Sequence, residues 1–178
     1  LQHGVNPNIV DETHRLTALM LATNKGHRAI TQLLLEHGAR LDMRTTTNLT
    51  AVYIAASRGR DIILLDLLMR RANANLTPYD GGSPLWAAAI KGHADAVRVL
   101  IEVGGVNANQ HYRHSPEGSE SVCCAAAARG HADVVRVLLE LGHVHPDAEG
   151  EDQVTPCCAA AQNGHVHVLS MLHEKGAD

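Results

Sequence analysis

The chain has 178 residues and a formal net charge of −4, which argues against a general nucleic-acid surface. It contains no Phe and only 2% aromatic residues, so a core must be built from aliphatic and small side chains. No apolar run reaches the roughly 20 residues of a membrane-spanning helix, so membrane insertion is not expected, and the length suits one or two domains.

Taken in order, the chain begins with a partial unit. Residues 1–11 read as the tail of an earlier copy, with Gly4 standing where Gly38 stands later. From there one pattern recurs. A hydroxyl residue opens a short helix at Thr17, Thr50, Ser83, Ser121 and Thr155, and a glycine ends it at Gly26, Gly59, Gly92, Gly130 and Gly164. The hydroxyl can accept from a free N–H of the first turn, and glycine tolerates the left-handed backbone of a chain reversal.

The pattern is plainest at 83–105, SPLWAAAIKGHADAVRVLIEVGG. It predicts a helix over 83–91, with Pro84 at the first helical position and Ala87, Ala88 and Ala89 leaving room for close packing. A second helix is predicted over 94–103, where Val97, Leu100 and Ile101 make one apolar stripe and Gly104 closes it with a left-handed turn. Helices this short are marginal alone. Leu34, Leu67, Leu100, Leu138 and Leu172 are therefore expected to pack as one continuous row.

Successive inter-helix glycines are 33, 33, 38 and 34 residues apart. Five extra residues are assigned between Asn109 and Ser121, around HYRHSPEGSE, and predict a projecting loop. The second unit departs from the others. Arg71 fills the slot held elsewhere by Gly38, Gly104, Gly142 and Gly176, and Asp66 stands where the others have Leu33, Val99, Val137 and Met171. A lone buried carboxylate is costly, so Asp66 is expected to be paired or partly solvated. This unit is expected to be locally the least stable.

A turn and two helices at a period near 33 resembles the ankyrin repeat. The likeness is carried by TPCCAAAQNGH (155–165), LLLEHGA (33–39) and GHADVVRVLLELG (130–142), and it covers nearly all of the chain. It implies an all-α ankyrin-repeat solenoid of stacked helix-turn-helix units with protruding β-turn or hairpin fingers. The units are 12–44, 45–77, 78–115 with the insertion, 116–149 and 150–178, forming one array that reads as a fragment of a longer protein. One family position is absent. The histidine of the T-P-L-H motif is replaced by Met20, Tyr53, Trp86, Cys124 and Cys158, which puts its hydrogen-bond network in doubt and predicts apolar packing between repeats.

The pairs Cys123–Cys124 and Cys157–Cys158 do not have metal-motif spacing, and equivalent residues of neighbouring repeats lie too far apart for a disulfide. They read as small buried hydrophobes. Of the 13 histidines, His27, His93, His131 and His165 fill the family's G-H slot; His111/His114, His143/His145 and His165/His167 offer pairs with no third ligand. No catalytic motif, cofactor site or metal site is read, and the chain is not expected to be an enzyme.

Lys25, Arg58, Lys91 and Arg129 precede or adjoin the inter-helix glycines. They read either as cations complementing helix C-termini or as a basic ladder for an acidic partner peptide. The resemblance implies docking on fingertips and on the exposed side of the first helices. Carried over, the finger positions are Thr13, His14 and Leu16; Thr46, Thr47 and Leu49; Tyr79, Asp80 and Gly82; Glu117, Gly118 and Glu120; Glu151, Asp152 and Val154. The helix positions are Asn24 and Lys25, Ser57 and Arg58, Ile90 and Lys91, Ala128 and Arg129, Gln162 and Asn163. Tyr79, Asp80, Ile90, Lys91, Tyr112 and Arg113 are singled out as the centre, with Arg58, Arg129, Lys25, Ser57 and Thr47 around them. Trp86 is expected to pack inward. The implied function is a non-catalytic protein-interaction module, or else the recruiting domain of a multidomain enzyme, with an intracellular setting, cytoplasmic or nuclear, expected.

Overall fold

The computed structural model describes residues 6–79, 81–115, 118–150 and 153–177, with backbone alone at 112–115, 118 and 119. Among the described residues there are five helix pairs: α1 (Ala18–Lys25) with α2 (Arg28–Glu36), α3 (Ala51–Ser57) with α4 (Asp61–Met69), α5 (Pro84–Ala89) with α6 (Ala94–Glu102), α7 (Val122–Ala128) with α8 (Ala132–Glu140), and α9 (Pro156–Gln162) with α10 (Val166–Glu174). Between α6 and α7 lies a hairpin, β1 (His111–Ser115) and β2 (Gly118–Ser121), paired antiparallel with Tyr112 opposite Glu120.

Each inner helix starts as the hydroxyl pattern requires. Thr17, Thr50, Ser83, Ser121 and Thr155 accept, through their side-chain oxygens, from the N–H groups of Met20, Tyr53, Trp86, Cys124 and Cys158 at 3.0–3.2 Å. The hydroxyl caps form with Met20, Tyr53, Trp86, Cys124 and Cys158 in the slot where the resemblance expects histidine. The helices then stack in two layers: α1, α3, α5, α7 and α9 touch in sequence, and α2, α4, α6, α8 and α10 do the same behind them. Small residues make the inner contact, with Ala55, Ala56, Ala88, Ala89, Ala126 and Ala127 fully buried. Leu34, Leu67, Leu100, Leu138 and Leu172 are all buried members of one core cluster, as the periodicity predicts.

The contacts between repeats are not purely apolar. Cys124 Sγ lies 3.2 Å from the Val154 carbonyl oxygen and donates across to the next finger, so the expectation of apolar packing in the missing-histidine slot fails at the fourth unit. A second polar link comes from the G-H histidines. His131 Nε2 donates to the Ile90 carbonyl (3.1 Å) and His165 Nε2 to the Ala128 carbonyl (3.0 Å), each satisfying the end of the preceding inner helix. Trp86 is half-buried against the core, in line with expectation.

Gly104 does not close α6 in the left-handed region. That role falls to Gly105 (φ +60), and after α8 to His143 (φ +50). These units carry one residue more between the row leucine and the buried residue that follows the helix: Leu100 to Val106 and Leu138 to Val144, against Leu34 to Ala39. The added residue is a glycine because a Cβ on Gly104 or Gly142 would stand 2.6 Å from the Leu100 or Leu138 carbonyl oxygen. One of the five extra residues assigned to the third finger interval therefore sits in this turn. Val106 to Ser121 spans 15 positions against 11 from Ala39 to Thr50, so the finger itself gains four.

The second unit behaves as its sequence suggests in two respects. Asp66 is paired: Arg28 Nε donates to Oδ2 at 2.9 Å, Arg28 Nη2 to Oδ1 at 3.3 Å and Gln32 Nε2 to Oδ2 at 3.2 Å. The carboxylate holds the Arg28 guanidinium above its ordinary range through these hydrogen bonds first and its charge second. Arg71 is left-handed, with φ +67. A side chain there costs about 1 kcal/mol relative to glycine. Arg71→Gly is expected to raise stability by roughly 0.5–1 kcal/mol, part of the gain being offset by the freer unfolded chain. Hydrogen exchange of α4 should slow in the variant; an unchanged rate would show that this turn does not limit the unit.

Candidate interaction face

The inner helices leave one side open toward the fingers, and four of the five fingers share one turn, the fourth finger being the β1–β2 hairpin. Two positions before the hydroxyl cap stands a left-handed residue: Arg15, Asn48, Gly81 and Gln153, with φ from +57 to +84. In the first finger Asp11 shapes the turn, its carboxylate accepting from the backbone N–H groups of His14 (2.8 Å) and Leu16. Those bonds, His14 first, hold the Asp11 carboxyl below its usual range. Adjacent fingers are tied by backbone: Thr46 N–H to the His14 carbonyl at 3.0 Å and Tyr79 N–H to the Thr47 carbonyl at 3.4 Å. In the hairpin, His111 Nε2 reaches the Glu149 carbonyl at 3.2 Å.

Along the inner helices' C-terminal ends run the cations. Lys25 ends α1, Arg58 caps α3, Lys91 follows the Ile90 cap of α5, and Arg129 caps α7, all four exposed. The fourth differs from the rest. Arg129 Nη1 donates to the Ala125 carbonyl at 2.9 Å and lies 3.9 Å from Glu120 Oε1, the carboxylate of the hairpin. Lys25, Arg58 and Lys91 have no ion pair among the described residues.

Of the residues singled out from sequence, Tyr79 stands on the third finger with 80% of its surface exposed, beside Thr47. Thr47 Oγ1 shares a hydrogen bond with Thr45 Oγ1 (3.1 Å). Ile90 is half-buried, its carbonyl taken by His131, and Ser57 donates its hydroxyl to the Ile54 carbonyl at 3.2 Å. Asp80, Glu117, Glu151 and Asp152 lie outside the described residues, as do the side chains of Tyr112, Arg113 and His114. The predicted central cluster is therefore represented by Tyr79, Ile90 and Lys91.

A feature that the residue-by-residue reading passed over lies between the first two inner helices. Leu16, Met20, Leu21, Leu49, Tyr53 and Ile54 line a hollow of about 220 Å³, with Asn24, Ser57 and Arg58 along its polar end. The sequence held a signal for it. Leu21 and Ile54 occupy the position that is Ala87, Ala125 and Ala159 in later units, and Leu16 and Leu49 the position that is Gly82, Glu120 and Val154.

The thiols follow burial. All four cysteines are unpaired; Cys123 and Cys124 are buried, Cys157 is half-buried and Cys158 is exposed. The reading of all four as buried hydrophobes is thus corrected at Cys158, which lies on the last described inner helix. Burial pushes the thiols of Cys123, Cys124 and Cys157 upward, disfavouring the thiolate. No group of three or more His, Cys, Asp or Glu among the described residues is placed to hold a metal ion. No described helix is long and apolar enough to cross a membrane.

Helix pairs stacked in two rows with fingers along one edge define a repeat solenoid, a fold that presents an extended binding surface. The family profile described as "Ankyrin repeats (3 copies)" matches residues 1–77, 62–143 and 108–178, and the chain belongs to the ankyrin repeat family. Such repeats are generally protein–protein interaction modules. Among similar proteins are the mouse protein fem-1 homolog A-like, 40% identical over 93 residues (52% of this chain, 14% of that protein), and the rice probable E3 ubiquitin-protein ligase XBOS32, 35% identical over 88 residues (49% and 18%). Human ankyrin repeat and KH domain-containing protein 1 is 37% identical over 95 residues (52% and 4%). The chain spans less than a fifth of the length of each of these relatives.

Proposed function

We propose that the chain binds a partner protein or peptide, acidic in character, along the open side of its inner helices and across its fingertips. The observation that carries this reading is the row of Lys25, Arg58 and Lys91 at the C-terminal ends of the inner helices, exposed and unpaired among the described residues, together with the exposed Tyr79 on the third finger. A solvated cation at a helix C-terminus has a simpler role in complementing the dipole. An exposed aromatic on the fingers and exposed cations on the inner helices together favour recognition, since Tyr and Arg are enriched where interfaces concentrate their energy. Tyr112 and Arg113 of the hairpin are proposed to extend the same surface. One array of five repeats, 12–44, 45–77, 78–115, 116–149 and 150–178, supplies it without catalytic chemistry of its own.

The test uses a partner captured by a photo-crosslinking residue at position 79 and identified by mass spectrometry. With that partner, Tyr79→Ala is expected to cost more than about 1 kcal/mol of binding. Lys91→Glu should weaken it roughly tenfold at low salt, with less effect at high salt. Affinity unchanged by both substitutions would remove the proposed face.

A second reading is favoured by the relatives themselves. One is named a probable E3 ubiquitin-protein ligase, and the chain matches only 18% of it. In that reading the array recruits a substrate for an enzyme located elsewhere in a longer protein, in the intracellular setting expected from the family. Adding the flanking sequence and assaying modification of the captured partner distinguishes it from a simple scaffold.

A further inference from the structure

The hollow between α1 and α3 refines the reading of the open face as a protein-binding surface, and its role rests on that reading. At about 220 Å³ it falls below the roughly 300–1,000 Å³ usual for small-molecule sites, so its size suits a single side chain better than a cofactor. Its floor is Met20 and Ile54, both buried, and its walls are Leu16, Leu49, Tyr53 and the half-exposed Leu21. At one end the apolar lining gives way to Asn24, Ser57 and Arg58.

Charge then says what lies beside the apolar group. The fourth cation of the row, Arg129, has a carboxylate next to it from the chain itself, Glu120. Glu120 occupies the same position in its unit as Leu16 and Leu49, the residues that wall the hollow. The protein therefore supplies its own acid at the fourth unit. In the first two units it supplies an apolar wall in that position and leaves Arg58 and Lys25 unpaired among the described residues. An extended peptide places residues i and i+2 on one face, about 6.6 Å apart. That spacing lets one side chain fill the hollow while the next on the same face reaches its polar end.

We propose that the hollow between α1 and α3 takes a Leu, Ile, Met or Val side chain from an extended segment of a partner protein, with an Asp or Glu two positions away held by Arg58. The acid is a side-chain carboxylate, so the segment needs no free C-terminus.

The probe is a phage-displayed random dodecapeptide library selected on the 178-residue chain, followed by fluorescence anisotropy of selected peptides with amidated C-termini. Selected peptides should share an aliphatic residue and an acid two positions apart. Leu21→Ser and Arg58→Glu should each weaken them at least tenfold, and replacing the peptide's acid by Lys should restore binding to Arg58→Glu. Leu21 and Arg58 are surface positions, so both variants should fold, which circular dichroism checks. Arg98→Glu on the outer helix α6 should change binding less than twofold. Peptides insensitive to Leu21→Ser and Arg58→Glu, but weakened by Tyr79→Ala or Lys91→Glu, would overturn the hollow while leaving the open face as the binding surface. Insensitivity to all four, no enriched peptide, or a requirement for a free C-terminal carboxylate would also overturn it, and the first of these would remove the wider reading too.

Discussion

Leu100→Ala is expected to lower the stability of the whole array by about 3 kcal/mol, measured by urea unfolding at constant m-value. Leu100 is fully buried in α6, the middle of the outer layer, with α4 on one side and α8 on the other. In a stack of repeats, stability is close to a sum of unit and neighbour terms. A cavity at the centre weakens two interfaces together, and the hollow left by the missing methyl groups can collapse from neither side without moving a helix. Leu33 offers the contrast within the same kind of helix. It is 46% exposed and has no row to interrupt, so Leu33→Ala should cost well under 1 kcal/mol. A loss below about 1 kcal/mol at Leu100 would mean that the leucine row is not what holds the layers together.

That row was legible because period and burial express the same constraint. Each unit is too short to fold alone, so the residues that face its neighbours must recur in step, and the hydroxyl caps and inter-helix glycines recur with them. Gly104 shows where the pattern misleads. Read by alignment to Gly38 it should be left-handed, yet the unit carries one residue more, and the glycine is there because the Leu100 carbonyl leaves no space for a Cβ. The type of residue was right and its reason was wrong. The interaction face was less legible, for a physical reason: surface residues are free of the packing that enforces a period. Lys25, Arg58, Lys91 and Arg129 look equivalent in the sequence, and only the fold brings Glu120 to the last of them. The hollow needed two columns to be compared at once, Leu21 with Ile54 and Leu16 with Leu49, and its shape depends on α1 and α3 lying side by side.

A pair of glycines separates the backbone cost of the inter-helix turn from its contact with the next repeat. Gly130 and Gly164 have nearly the same conformation, φ +75 and +73. Alanine at either meets the left-handed penalty of roughly 1–2 kcal/mol, offset in part by the stiffer unfolded chain. Only Gly130 has a neighbour: a Cβ there would lie 2.7 Å from His165 Nδ1 and 3.0 Å from its Cγ, whereas nothing comes within 4 Å at Gly164. The methyl must push the imidazole away, and the ring can yield only by giving up its bond to the Ala128 carbonyl, a loss of about 1 kcal/mol together with its packing. Gly130→Ala is therefore expected to cost roughly 2–3 kcal/mol and Gly164→Ala about 1 kcal/mol in chemical unfolding. In a His165→Ala background the ring is gone, and the two alanine substitutions should become equivalent, a coupling of about 1 kcal/mol or more in the double-mutant cycle. Equal costs in the unmodified chain would show that the imidazole moves aside freely, and that the histidines of the G-H pairs are not what fastens one repeat to the next.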